Sequence, residues 1–250
     1  MKSAKKSLER AQSIDDFYRG DYNLESEIKA ATFYMEKVQS FLRKIAPSLS
    51  ASLGRKPLLL DVGCDNGVFS SAIARSGFDV YGIDIRVPMV LEARKRGIKA
   101  VAHNVEKKFP FKDAMFDVVF AGEIIEHLFD TDFFVHELSR VVKPGGIVVI
   151  TTPNMASLSN RFRLLFGKLP VGNEIRLGRD SAGHIRNYTF PELKRQMREH
   201  GFAIKMAVSA NIMFPVMWPL PRFLKVIAMR LGDFFPNIGS HIIIGAVKKA

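Results

Sequence analysis

Acidic residues and glycines at close spacing carry the clearest chemistry in this sequence. In LLLDVGCDNGVFS, residues 58 to 70, an apolar run leads into Asp61, Gly63, Asp65 and Gly67, and apolar helical spacing resumes at Val68. Gly63 and Gly67 permit tight or left-handed backbone, so the stretch reads as strand, turn and helix start. Twenty-three residues past Asp61, the run FDVYGID ends in Asp84. A second strand there presents a carboxylate beside the first turn, where acidic groups hold ribose hydroxyls. A diphosphate-binding turn usually has the form G-x-G-x-x-G, whereas the order here is Gly63-x-Asp65-x-Gly67. Asp61 and Asp65 put negative charge where a diphosphate would sit. That opposes an anion and suits a ligand bearing an ammonium and a sulfonium, as S-adenosylmethionine does.

A second set lies in GEIIEHL. Glu123, Glu126 and His127 stand at i, i+3 and i+4, which on a helical turn places all three on one side. Two carboxylates and an imidazole can bind a divalent metal, and His184, in GHIRNYTF, can add a fourth ligand or a base. The competing reading makes Glu126 and His127 capping or packing residues. Among the other histidines, His103 can lie near a bound cofactor, while His136, His200 and His241 read as ordinary helix or strand-end residues. Cys64 is the only cysteine, which excludes an internal disulfide and a multi-cysteine zinc site. No nucleophile, base and acid arrangement for hydrolysis is visible.

The elements that must position these groups follow from hydrophobic periodicity. Strands are expected at 57–62, 79–84, 98–103, 116–121 and 146–152, alternating with helices at 67–76, 87–96 and 130–142. Such alternation implies an α/β fold with a parallel sheet and helices on both faces. Lys143-Pro144-Gly145-Gly146 supplies a helix stop. FAIKMAVS and HIIIGAVK read as the sixth and seventh strands. Apolar residues at helical spacing over 28–45 predict a covering helix, so residues 1–50 form a helical cover and 51–250 the main domain.

Two segments interrupt the alternation. Residues 154–188 mix arginines with Phe162, Leu164, Leu165 and Phe166 and are expected over the ligand end of the sheet. Residues 211–240 are unusually apolar for a surface connection and read either as a lid on the core or as a peripheral membrane contact, with Trp218 and Arg222 at the interface. The 250 residues, 47% hydrophobic, suffice for one sizeable core. A formal charge of +12 and a pI near 9.9 suit an anionic partner: nucleic acid, a lipid headgroup surface or a phosphorylated substrate. MKSAKKSLER lacks an apolar signal region, and no uninterrupted apolar run approaches membrane-spanning length, so a cytoplasmic protein is expected.

From about residue 57 onward the chain resembles the class I S-adenosylmethionine-dependent methyltransferases, specifically type 11, ubiquinone-pathway-like domains. LLLDVGCDNG is similar to that family's first motif, YGIDI to its ribose-binding strand end, FPFKDAMFDVVFAGEIIEHL to its fourth-strand stretch and ELSRVVKPGGIVVITTPN to the helix, turn and fifth strand. The family usually has glycine where this chain has Asp65. The resemblance implies a Rossmann-like, mostly parallel seven-stranded sheet with an antiparallel last strand. It implies S-adenosyl-L-methionine held by Asp61, Gly63, Asp65, Gly67 and Asp84, adenine framed by Asn104 and Val105, and Glu123 closing the site. The Glu-x-x-Glu-His pattern with a later histidine resembles the metal site of small-RNA terminal ribose methyltransferases, and a similar pattern occurs in ubiquinone-pathway O-methyltransferases.

The function so implied is O-methylation of a small, glycan-like or lipid- or quinone-like acceptor. Glu126, His127 and His184 form the catalytic set, with His127 or His184 deprotonating or orienting the hydroxyl, directly or through a metal. RNA ribose 2'-O-methylation with a divalent metal is the enzymatic alternative, although no compact arginine stripe with interleaved aromatics is evident. A non-catalytic S-adenosylmethionine-binding module is another. A nicotinamide-dependent oxidoreductase would need the pyrophosphate turn that Asp65 disrupts.

Overall fold

The computed structural model describes residues 24–173, 183–210, 212 and 231–249. Expectations placed on residues 1–23, on Arg176 and Arg179, and on most of 211–240, Trp218 and Arg222 included, fall outside them.

A single seven-stranded sheet organises the described residues. Its strands are β1 (Leu58–Val62), β2 (Asp79–Asp84), β3 (Lys99–Ala102), β4 (Phe116–Gly122), β5 (Val142–Pro153), β6 (Phe202–Ser209) and β7 (His241–Lys248), in the spatial order β3-β2-β1-β4-β5-β7-β6. The first five pair in parallel, and β7 runs antiparallel to both β5 and β6. This is the Rossmann-like sheet with an antiparallel last strand that the sequence implied.

Alternation along the strands divides the core between the two faces. Leu60, Val62, Val119 and Ala121 face one way, where they meet Phe134 and Leu138 of α4 (Thr131–Val141) and Phe190, Leu193 and Met197 of α6 (Phe190–Glu199). Leu59, Val118 and Phe120 face the other way. There they meet Val38 and Leu42 of α1 (Leu24–Leu53), Ile73 of α2 (Val68–Arg75) and Ala93 of α3 (Val87–Lys95). The covering helix is thus longer than the 28–45 stretch expected from periodicity. A further helix, α5 (Leu158–Leu165), follows β5.

One expected boundary needs correction. The helix before β5 stops at Val141, but pairing with β4 resumes at once through Phe116 and Val142. The register then jumps to Val118 and Ile147, so the 143–146 turn bulges out of a strand that was expected to begin only at 146. Gly145 takes the positive φ of that excursion, 76°.

The parallel strands all end at one edge, and crossovers leave that edge open between β1 and β4, where the strand order reverses. Every chemistry-bearing segment singled out above, apart from those outside the described residues, reaches this edge or folds over it.

Candidate active site

The turn after β1 is tied to β2 by its backbone. The Gly63 and Cys64 amides donate to the Ile83 carbonyl at 2.8 and 3.0 Å, and the Gly67 amide donates to the Cys64 carbonyl at 3.0 Å. Gly63, Asp65 and Gly67 take φ of 80°, 47° and 76°. Gly67 also has no room for a side chain, because a Cβ there would lie 2.8 Å from the Ala93 backbone of α3. Aspartate occupies left-handed backbone more readily than most residues, which lets Asp65 stand where the resembling family has glycine.

Three carboxylates converge on this turn. The Asp84 carboxylate, nearly buried, accepts the Asp65 amide on Oδ2 and the Arg86 amide on Oδ1, both at 2.9 Å. Arg86 pairs with Asp65 at 3.0 Å and lies 3.4 Å from Asp84. Asp61 is buried with Ser70 Oγ donating to it at 2.5 Å. Burial pushes its carboxyl up to about 7 despite that hydroxyl, and the charges of Asp84 and Asp65 push in the same direction. The same surroundings raise the Cys64 thiol far from thiolate formation, which makes it a packing residue.

The third strand's end is less distinctive. Asn104 closes a turn, its Oδ1 accepting the Glu106 amide at 2.9 Å and its carbonyl the Lys107 amide at 3.0 Å. Val105 is buried within the core, and a ring nitrogen of His103 lies 3.0 Å from the Lys108 carbonyl.

The second constellation forms at the end of β4. Glu126 and His127 share a single 3-10 turn, Ile125–His127, whereas Glu123 precedes it with a φ of 51°. Glu123 therefore leaves the set that regular helical spacing had grouped. Its Oε1 accepts from Thr151 Oγ1 at 2.8 Å, and its Oε2 lies 3.7 Å from His241 Nε2. Burial pushes Glu123 up to about 7 and His241 down to about 4.

His184 takes the place that Glu123 vacates. The chain from 183 returns across the turn, with the Ile185 and Arg186 amides donating to the Glu126 carbonyl at 2.9 and 3.0 Å. His127 Nε2 and His184 Nε2 come to 3.9 and 4.0 Å from Glu126 Oε1, and the two rings stand 4.9 Å apart. One potential ligand atom from each of Glu126, His127 and His184 falls within a 4.8 Å spread. Glu126 Oε2 accepts from Thr152 Oγ1 at 2.9 Å, while the fully buried Oε1 has no hydrogen-bond partner among the described residues. Burial and the neighbouring Glu123 raise the Glu126 carboxyl well above the usual carboxylate range. A cleft beside the triad is lined by Glu126, His184, Pro153, Met155, Val171 and Gly172, among others.

Several contributors escape a reading of the sequence by motif. Thr151 and Thr152 are marked only by ending an otherwise apolar strand with two hydroxyls. Tyr34 stacks on His241 at 5.1 Å, which brings α1 to the mouth of the site, and no local pattern announces that contact.

Comparison with known proteins agrees with this fold. Residues 34–205 match the family model described as a methyltransferase domain. The chain is 35% identical over 131 residues to the ubiquinone biosynthesis O-methyltransferase of Pelagibacter ubique, 47% of this chain and 54% of that protein. It is 27% identical over 177 residues to the protein of the same name in Rickettsia prowazekii, 67% of each chain. The match spans about half the length of most such relatives, including 51% of the Alkalilimnicola ehrlichii protein. Among solved structures, a SAM-dependent methyltransferase from Archaeoglobus fulgidus superposes with a TM-score of 0.59 at 20% identity, covering 91% of this chain and all of that one. The [4+2]-cyclase SpnF superposes at 0.55 and 20% identity, covering 83% and 82%, so the shared fold does not by itself fix the reaction.

Proposed function

The chain belongs to the methyltransferase-domain family, and from that premise we propose that it moves a methyl group from S-adenosylmethionine to a hydroxyl of an amphipathic acceptor, lipid-linked, glycan-like or quinone-like. The observation that carries this reading is the Glu126–His127–His184 triad at the open edge of the sheet, beside the carboxylate-lined turn.

The turn fits a cationic cofactor. Asp61, Asp65 and Asp84 concentrate negative charge around Gly63, which repels a diphosphate and attracts an ammonium or sulfonium. The raised Asp61 carboxyl shows that its charged form lacks a sufficient partner, and an ammonium would provide one. Asp84 Oδ1 accepts from both the amide and Nε of Arg86, whereas Oδ2 accepts only the Asp65 amide and keeps a lone pair for a ribose hydroxyl. Bound there, the cofactor would supply an electrophilic methyl carbon to the acceptor oxygen, with the sulfur as leaving group keeping the electron pair of the broken carbon–sulfur bond.

The protein's part is positioning and proton removal. His127 or His184 takes the acceptor's hydroxyl proton, and Glu126 packs against both, its Oε1 3.9 and 4.0 Å from their Nε2 atoms. The triad also fits a divalent cation, because such an ion would give the orphaned Glu126 Oε1 its missing partner. Glu126, His127 and His184 would hold it, and it would acidify a hydroxyl placed beside it.

Calorimetry with S-adenosylhomocysteine tests the first half: micromolar binding is expected, and the Asp84→Ala variant should lose it. Transfer of labelled methyl to lipid extracts, quinols and RNA tests the second. The +12 charge favours a ribose acceptor instead if RNA is methylated and its affinity falls steeply with salt. Cofactor binding with no acceptor methylated would indicate a binding module.

A further inference from the structure

The cleft beside Glu126 and His184 has apolar walls in Pro153, Met155 and Val171. Among the described residues lining it, Arg186 alone carries a permanent positive charge. The segment that bears Arg186 is tied to the triad at one end and to the sheet at the other. Its Ile185 and Arg186 amides donate to the Glu126 carbonyl at 2.9 and 3.0 Å, and the Tyr188 carbonyl accepts the Met155 amide at 2.9 Å. Tyr188 also bridges to Asn154 in parallel register, just past the end of β5. His184 and Arg186 both line the cleft, and being two residues apart their Cα atoms are separated by at most about 7 Å.

The Arg186 guanidinium is held in place but little used. Its Nη2 donates to the Phe129 carbonyl at 2.6 Å, which leaves most of its N–H donors without a protein acceptor among the described residues. Phe129 is itself anchored, because its amide donates to Glu106 Oε1 at 2.8 Å. Arg55, Arg86, Arg140 and Arg195 each have a carboxylate within 3.0 Å. Arg186 has no such partner among the described residues, although it stands beside a functional cleft rather than on an open face.

The charge of the cleft gives this cation a use. Glu126 places an acidic group at the inner end, so an acidic acceptor entering there needs a countercharge. A guanidinium presents paired N–H groups that match two oxygens of a carboxylate or a phosphate ester, a geometry a lysine ammonium lacks. The apolar walls suit the ring or short chain between that anion and the reacting hydroxyl. With His184 and Arg186 so near in the chain, both groups belong to one compact head group.

We propose that Arg186 binds an anionic substituent of the acceptor, a carboxylate or a phosphate ester, and thereby seats the acceptor's hydroxyl at His184. This rests on the methyl-transfer reading of the cleft and narrows its acceptor to a hydroxylated acid.

Calorimetry on the full chain, with and without S-adenosylhomocysteine, provides the test. The probes are 4-hydroxyphenylacetate, its uncharged amide and 4-hydroxyphenyl phosphate. One of the two anions is expected to bind at least roughly tenfold more tightly than the amide, the scale of a hydrogen bond to a charged group. The tighter anion identifies the substituent. Arg186→Gln should remove the preference and Arg186→Lys should keep part of it, with melting temperature and S-adenosylhomocysteine affinity unchanged in both. Arginine-selective 15N NMR of the parent protein reads the same contact without a substitution: the Nε resonance absent from Arg186→Lys should move with the anion and stay still with the amide. The proposal is overturned if no probe binds, if acid, phosphate and amide bind alike, or if the Arg186 resonance is unmoved. It is equally overturned if the preference survives in Arg186→Gln, which would assign the anion to another cation. An anion preference that depends on Arg186 in a protein that does not bind S-adenosylhomocysteine would uphold the anion site and sink the methyl-transfer reading.

Discussion

Glu123 Oε2 and His241 Nε2 face each other at 3.7 Å across the open end of the sheet, too far for a hydrogen bond and too close for bulk water to separate them. Glu123 is held there by a left-handed backbone, with φ of 51°, and by the Thr151 hydroxyl. His241 is held by the first rung of β7, opposite Pro153, and by the Tyr34 ring stacked on it. Burial pulls His241 down to about 4, so at neutral pH the ring is uncharged and acts on Glu123 by keeping water away.

His241→Ala should therefore bring the Glu123 carboxyl back from about 7 toward its ordinary 4.5, because water would enter the space of the ring. Carboxyl-selective 13C NMR titration reads this directly. An unchanged Glu123 titration would mean that the ring does not control its solvation.

Asp61 gives a pH dependence of the opposite kind to a salt-bridged carboxylate. Its carboxyl sits at about 7 in the folded protein against 3.8 otherwise, so the folded state holds the extra proton between those values. The stability this provides is complete below 3.8 and is lost as pH rises through 7, by an amount on the order of 2–4 kcal/mol. Urea denaturation at pH 5 and pH 8 should show the loss in the parent protein and a smaller one in Asp61→Asn. If Asp61 pairs with the cofactor's ammonium as proposed, binding runs the other way, because that pairing requires the ionised carboxylate. S-adenosylhomocysteine should bind roughly tenfold more tightly at pH 8 than at pH 6, and Asp61→Asn should flatten that profile.

The sheet is largely legible in the sequence because its strands are apolar and separated by helices of regular period; FAIKMAVS and HIIIGAVK coincide with β6 and β7. The cofactor turn is legible because left-handed glycines and strand-end carboxylates are local signals. The proposed acceptor side is only half legible. Spacing puts Glu126 beside His127, and His184 stands out by type, but regular helical spacing fails where the chain makes a 3-10 turn preceded by a left-handed residue, so it groups Glu123 with the wrong partners. His241 and Tyr34 reach the site through the pairing of His241 with Pro153 and the packing of α1, contacts between residues far apart in the sequence that no short pattern encodes.

Gly67 and Gly97 separate the two costs of a side chain at positive φ. Gly97, with φ of 80°, has open space where a methyl group would project, so Gly97→Ala should cost only the roughly 1–2 kcal/mol of left-handed backbone. Gly67, with φ of 76°, would push a methyl to 2.8 Å from Ala93, adding roughly 1–3 kcal/mol of overpacking. Denaturant midpoints should rank the two in that order. Cofactor affinity should fall only for Gly67→Ala, because α3 and the turn must separate to admit the methyl.

Glu126→Gln distinguishes a working triad from a packing cluster. The amide oxygen can still accept from Thr152, and the substitution removes a buried carboxyl whose Oε1 has no hydrogen-bond partner, so the apo protein should lose no stability. If Glu126 only fills space, turnover should survive as well. If it orients His127 and His184, turnover should fall at least about 100-fold, the scale of a lost acid–base contribution, while S-adenosylhomocysteine affinity stays unchanged. Thermal melts with manganese resolve the cation. A bound ion at roughly 100 times its Kd stabilises the folded state by about 2.7 kcal/mol, a shift expected in the parent protein and absent from both Glu126→Gln and His184→Ala. Equal melting with and without manganese would assign proton removal to a side chain of the cleft without a cation's help.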